Sequence, residues 1–410
     1  MKNVTGLACK ECARTYPVAA LHVCEFCFGP LEVAYDYAGI RASVDRAGIE
    51  RGPSSLWRYS DLLPAPEGDL VDMGAGWTRL RPAPRLAAEL GMKRLWLKND
   101  GGNPTHSFKD RVVSLAVSVA RSFGYSVVAC ASTGNLANAV AAHAAAAGMD
   151  SVVFIPSDLE AGKIAATVVY GGKVIAVDGS YDDVNRLCAE LAGTKDWAFV
   201  NVNLRPFYSE GSKTLAFETI EQLGWRIPDA FVIPIASGSL FTKIAKGVRE
   251  MLEVGLVEGD EPALFGAQAE GCSPVATAWR EGAAEVQPVK PRTVAKSLAI
   301  GNPADGFYAL EEARRSGGHI DAVGEASVAD GMRLLARTEG IFTETAGGVT
   351  IAALEQMVRK GTIDTAAETV ALITGVGLKT LEALEEAAVT ATVRPSLAEV
   401  ERVLEGLWES

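Results

Sequence analysis

From residue 95 onward, short β-branched runs alternate with longer helical stretches. Leu95-Trp-Leu-Lys98 reads as a strand, Ser107 to about Phe123 as a helix, and Ser126-Val-Val-Ala-Cys130 as the next strand. Asn135 to Ala147 is an alanine-rich helix stopped by Gly148, followed by strand Ser151–Ile155, helix Lys163–Tyr170 and strand Lys173–Val177. Ala230–Pro234 and Thr369–Ile373 repeat the theme. Strands separated by helices cannot pair as hairpins, so the pattern predicts parallel sheets joined by right-handed crossovers. With 410 residues the chain has room for two or three domains, and the expected class is α/β with open parallel sheets. Residues 36 to about 75 read as a connector, rich in proline and glycine.

Bulk properties exclude whole classes of function. A net charge of −12 disfavours nucleic acid, whose phosphates attract basic faces. No apolar run reaches the roughly 18–20 residues of a membrane helix, and Met1 to Lys10 lack the apolar core of a signal peptide. The expectation is a cytoplasmic protein without membrane or nucleic-acid partners, and a homodimer by default.

Four of the seven cysteines lie near the start, as Cys9-Lys-Glu-Cys12 and Cys24-Glu-Phe-Cys27. Two such knuckles can set four thiolates tetrahedrally around a metal, with zinc the default. A closed four-sulfur site has no open position, so its role would be structural. The alternative is four free thiols in a degenerate ribbon. Cys130, Cys188 and Cys272 sit among apolar neighbours and read as small core residues.

Four stretches carry chemistry. In Asn103-Pro-Thr-His-Ser-Phe-Lys-Asp-Arg111 a polar loop enters an apolar helix, with Lys109 in its first turn. The positive end of a helix depresses an amine's pKa, which suits a nucleophile and base; the alternative is a solvated surface lysine. Ala131-Ser-Thr-Gly-Asn135 leaves a strand and opens a helix, which makes either an anion cradle or a plain cap by Ser132 or Thr133. Pro234-Ile-Ala-Ser-Gly-Ser-Leu-Phe241 repeats that arrangement with small residues, which let a backbone approach a phosphate. Ile373-Thr-Gly-Val-Gly-Leu-Lys379 sets a hydroxyl at the C-terminal end of a buried strand, where open α/β sheets bind ligands.

In order and spacing these stretches resemble the pyridoxal 5′-phosphate (PLP) enzymes of the tryptophan-synthase-β type, and within them threonine synthase. The closer marks are the Lys109 motif, Glu210-Gly-Ser-Lys-Thr-Leu-Ala216, Phe342-Thr-Glu-Thr-Ala-Gly-Gly348 and Thr374-Gly-x-Gly-Leu-Lys379. An N-terminal ribbon also occurs in that family. The resemblance implies PLP in a cleft between two sheet domains, carried on Lys109 as catalytic residue. Asn135 would meet the ring hydroxyl. Ala236, Ser237, Gly238, Ser239 and Leu240 would wrap the cofactor phosphate, and Thr374 would face the ring nitrogen. A threonine there, in place of a carboxylate, favours a neutral ring. Ser132, Thr133 and Gly134 would take the substrate carboxylate. Arg205 would take the substrate phosphate, with Lys213 possible beside it and Lys379 next in line; the alternative for Arg205 is an ordinary ion pair. The implied layout is a zinc-ribbon segment over 1–35, the first part of the large domain over 36–120, a small domain over 121–211, and the rest of the large domain over 212–410.

The reaction implied is conversion of O-phosphohomoserine and water to threonine and phosphate. The nearest alternatives are a threonine or serine dehydratase and a phosphoserine β-replacement synthase; further off lies a non-catalytic binding protein. Three departures from the family pattern stand out. His106 replaces a common glycine, Leu136 a common threonine, and the 236–240 loop has less glycine and asparagine than usual.

Overall fold

The structure is a computed structural model that describes residues 1–68, 70–132, 134–159, 161–384 and 389–406. Strands β1 (Val4–Cys9), β2 (Thr15–Tyr16) and β3 (Leu31–Tyr35) form a small antiparallel sheet in the order β2-β1-β3. The chain then runs through short helical turns to β4 (Leu80–Pro82) and β5 (Arg94–Asn99). It next builds β6 (Val127–Ala131), β7 (Asp150–Pro156), β8 (Lys173–Val177) and β9 (Ala198–Phe199). It returns through β10 (Ala230–Pro234), β11 (Ala263–Ala269), β12 (His319–Val323) and β13 (Glu368–Ile373).

Two larger sheets result. One has the order β12-β11-β10-β13-β5-β4, parallel except for edge strand β4. The other, β8-β7-β6-β9, is parallel throughout. Strands β10 and β13 are buried at every position, as parallel strands covered by helices on both faces must be.

The helices Lys109–Ser122 and Asn135–Ala147 pack on each other and are buried over residues 110–120 and 135–144. Alanine on nearly every turn of the second lets it pack close to its neighbours without a large side chain to seat. Strands β6, β10 and β13 all end in the turns singled out in the sequence, so their C-terminal ends open into one cleft.

Candidate active site

The Lys109 motif is a set of anchors around one lysine. Asn103 accepts a hydrogen bond from the Gly76 N–H at 2.8 Å. The Thr105 N–H and hydroxyl both donate to Asp110, at 2.8 and 2.9 Å. Arg111, fully buried, donates from Nε and Nη2 to the Asp100 carboxylate at 2.7 and 2.8 Å and pairs with Glu218. Lys98 completes the cluster at 2.7 Å from Glu218. These bonds clamp the loop and the first helical turn, so Lys109 is delivered from a rigid frame.

Lys109 is the first residue of its helix and lines the cleft, and its Nζ donates to the Tyr208 hydroxyl at 3.1 Å. Burial drives the amine down from the ordinary 10.5 to about 8, against the pull of the Glu344 carboxylate. Burial pushes the Tyr208 hydroxyl far up, so it stays protonated.

The cleft holds about 840 Å³ of space between its walls, part of it open solvent. Lys109, Ser132, Asn135, Ala236, Ser237, Gly238, Ser239, Leu240 and Thr374 all line it. Thr133 lies outside the described residues. Ser132 is buried, and its Oγ accepts from the Gly134 and Ala137 N–H groups at 3.0 and 2.9 Å. The Oγ thus closes the first helical turn, whose N-cap residue is Gly134. Gly134, at φ +131°, packs on the Lys163 stem, 2.4 Å from where a Cβ would stand.

The 236–240 turn is built for close approach. Gly238 has φ +91° and precedes the helix Ser239–Glu253, whose first-turn N–H groups have no partner within the helix. A Cβ on Gly238 would stand 2.6 Å from the Asp305 carbonyl, so only glycine fits. Ser297 lines the same cleft, and its buried hydroxyl has no hydrogen-bond partner among the described residues.

Arg205 is not brought into the cleft. Its Nη2 pairs with Asp305 Oδ1 at 2.7 Å, in a smaller cavity shared with Lys10, Glu32 and Lys243. Asp305 also donates its backbone N–H to the Ser237 carbonyl at 2.8 Å, so the ion pair buttresses the 236–240 loop from behind. The reason is register: Arg205 begins a helix, Arg205–Glu210, that presents Tyr208 and not Arg205 to the cleft. Lys213 is buried between Glu210 and Glu250, at 2.6 and 2.7 Å. Lys379 donates to the Thr105 carbonyl and to Asn135 Oδ1, the latter at 3.1 Å.

Tyr208 and Glu344 both line the cleft and carried no sequence-based role. Tyr208 gave no signal beyond its closeness to the Glu210 motif. Glu344 did: it stands at the N-cap of Thr345–Arg359, where serine, threonine, aspartate or asparagine is preferred, and makes no side-chain cap. It instead accepts from Asn135 Nδ2 at 2.7 Å and Thr374 Oγ1 at 3.3 Å. His106 sits at φ +61°, the left-handed region that glycine enters freely and a histidine adopts only under constraint.

Comparison with known proteins agrees with this geometry. Residues 71–375 match the family model described as pyridoxal-phosphate dependent enzyme. The threonine synthase of Methanocaldococcus jannaschii is 38% identical over 391 residues, covering 94% of this chain and 95% of that protein. This chain belongs to the threonine synthases. The Methanosarcina acetivorans threonine synthase is 37% identical over 91% of this chain and 92% of its own length. Among solved structures, diaminopropionate ammonia lyase from Escherichia coli superposes with a TM-score of 0.65 at 19% identity, covering 77% of this chain and 88% of that one. Maize serine racemase gives 0.59 at 21% identity, over 75% of this chain and 91% of its own. At that distance the two structures carry the fold alone. No helix among the described residues is long and apolar enough to cross a membrane.

Proposed function

We propose that the chain converts O-phosphohomoserine and water into threonine and inorganic phosphate, with PLP held in the cleft on Lys109. The observation that carries the reading is the placement of a buried, depressed-pKa lysine opposite the positive-φ 236–240 loop in one cleft. The Ser297 hydroxyl, without a hydrogen-bond partner among the described residues, and the positive-φ turn that Gly238 allows by packing against Asp305 both suit a bound phosphorylated cofactor. In this reading the loop's N–H groups take the cofactor phosphate, Asn135 the ring hydroxyl and Thr374 the ring nitrogen.

When bound, PLP supplies the electron sink for carbanion chemistry beside the amino group. The chain supplies position and proton transfer. Ser132 holds the substrate carboxylate at the start of its helix, and Gly134, whose N–H donates to Ser132 Oγ, positions it. With a pKa of about 8, the Lys109 amine is near half-neutral at mildly alkaline pH and takes the α-proton, then a β-proton. Tyr208 holds the amine between these transfers by accepting its hydrogen bond. Phosphate leaves the γ-carbon and water adds at the β-carbon, so one water is consumed for each phosphate released. Arg205 supports the phosphate loop through Asp305 and does not contact substrate.

The N-terminal sheet fits a structural zinc. The four sulfurs of Cys9, Cys12, Cys24 and Cys27 lie within 4.8 Å of one another, with neighbours 3.4–3.6 Å apart. Four Zn–S bonds of about 2.3 Å set sulfurs roughly 3.8 Å apart in a tetrahedron. A cytoplasmic homodimer is the expected working form.

Product analysis tests the reading. Incubation with O-phosphohomoserine should yield threonine and phosphate in equal amounts, and O-phosphoserine should not be turned over. Release of ammonia and a 2-oxo acid as the main products would instead mark a dehydratase.

A further inference from the structure

Among the described residues, none of 1–35 lines the cleft. The knuckle Cys9-Lys-Glu-Cys12 nevertheless reaches the segment that backs the 236–240 loop. Both residues between its cysteines close on Tyr308. The Lys10 Nζ sits 3.6 Å from the Tyr308 ring centroid, and the Glu11 carboxylate accepts a hydrogen bond from the Tyr308 hydroxyl. Burial and that carboxylate push the Tyr308 hydroxyl up, so it stays the donor. Tyr308 belongs to the helix Gly306–Arg315, whose N-cap residue is Asp305. Asp305 donates its N–H to the Ser237 carbonyl at 2.8 Å, and its own carbonyl is the atom that a Cβ on Gly238 would strike. Less than one helical turn therefore joins the ring held by the ribbon to the backbone that shapes the loop.

A second arm runs beside the first. Glu32, on β3 of the ribbon sheet, pairs with Lys243 at 2.9 Å and with Lys10 at 3.6 Å. Lys243 is buried on the helix Ser239–Glu253, which begins within the loop. Without Glu32 it would be left with Glu210, which already serves Lys213 and Lys246.

The place of Glu11 depends on both knuckles. A Cβ on Gly29, just past the second knuckle, would stand 2.6 Å from the Glu11 Cγ and 3.0 Å from the Cys9 Sγ. The Lys10 N–H donates to the Pro30 carbonyl at 3.0 Å. A metal shared by four sulfurs ties these turns together, whereas free thiols are weak hydrogen-bonding groups.

We propose that the ribbon is a metal-dependent brace for the cofactor loop: a filled four-cysteine site tightens PLP binding, and bound PLP tightens metal binding by the same factor. The two affinities move together because coupling between binding sites is reciprocal. Tyr308 and Glu32 are the positioning residues that transmit it. The proposal rests on zinc in the ribbon and PLP in the cleft. Since the ribbon does not line the cleft, the brace acts on PLP affinity and leaves turnover at saturating PLP unchanged.

The test is titration of cofactor-free protein with PLP, followed by the absorbance of the bound cofactor, with zinc loaded and after chelation. Removing zinc should raise the wild-type Kd for PLP roughly tenfold, within the range of about 5–150-fold usual for coupled sites. Restoring zinc should reverse the change. Zinc-loaded Tyr308→Phe keeps all four sulfurs and should show a raised Kd without chelation. Equal wild-type values with and without zinc overturn the proposal. If far-UV circular dichroism shows that chelation unfolds the chain, the zinc-loaded variants decide: a wild-type Kd in both Tyr308→Phe and Glu32→Gln overturns the brace. Zinc-loaded wild type that binds no PLP fails the proposed function, and protein that takes up no zinc fails the ribbon site; the brace falls with either.

Discussion

The Lys109 amine donates a 3.1 Å hydrogen bond to the Tyr208 hydroxyl across the cleft, from the first residue of one helix to the middle of another. Tyr208→Phe removes that acceptor while keeping the ring. A hydrogen bond to a charged group is worth about 1.5–3 kcal/mol. The variant should lose roughly one to two powers of ten in kcat, at 1.4 kcal/mol per power, with little change in KM. A rise in KM at constant kcat would assign Tyr208 to substrate binding instead.

The Lys109 pKa gives a pH signature. Ordinary lysine is protonated below 10.5, but here burial lowers that boundary to about 8. In cofactor-free protein, acylation of Lys109 should therefore rise tenfold per pH unit up to about 8 and level off above it. Mass spectrometry of the Lys109 peptide against pH reads this directly. A midpoint near 10.5 would mean a solvated amine.

The strand and helix pattern was legible because parallel strands buried on both faces read as continuous apolar runs. Asn135–Ala147, Lys173–Val177 and Ala230–Pro234 coincide with observed elements to the residue. The reading passed over β11 and β12, where Gly266, Gln268 and Asp321 interrupt the apolar signal. It also passed over β9, which has two residues. Cleft residues that follow a strand within a turn were visible for the same reason. Tyr208 was not visible because a charge in a polar loop, here Arg205, shows its chemistry but not its direction, and one helical turn separates the two residues.

Arg111 should govern stability. Arg111→Leu leaves Asp100 and Glu218 buried without their guanidinium, although Lys98 still reaches Glu218. Removing one partner of a buried network costs about 3–5 kcal/mol. Denaturant unfolding of the variant should show a loss of that size. A loss below about 1 kcal/mol, the range of surface pairs, would contradict the clamp.

Arg205→Ala should act on cofactor binding. Loss of the 2.7 Å pair with Asp305 loosens the support of the 236–240 loop. The dissociation constant of PLP should rise about tenfold, equivalent to roughly 1.4 kcal/mol, while kcat/KM for O-phosphohomoserine at saturating PLP stays near wild type. A selective fall in kcat/KM with unchanged PLP affinity would return Arg205 to the substrate phosphate.

Protein purified without added metal should carry one zinc per chain, lost when Cys9 and Cys12 are replaced by serine. Chelation should lower the Tm more than it lowers the rate of the protein still folded, because the site is closed and lies outside the cleft. Metal-free protein with all four thiols open to alkylation would show an empty ribbon.

The most direct test of the account is chemical capture of the cofactor. Borohydride reduction of the wild-type enzyme with PLP should fix the pyridoxyl group on the peptide that contains Lys109. Lys109→Ala should stay folded, bind no reducible cofactor and form no threonine. Label recovered on another lysine, or threonine formation by Lys109→Ala at the wild-type rate, would contradict it.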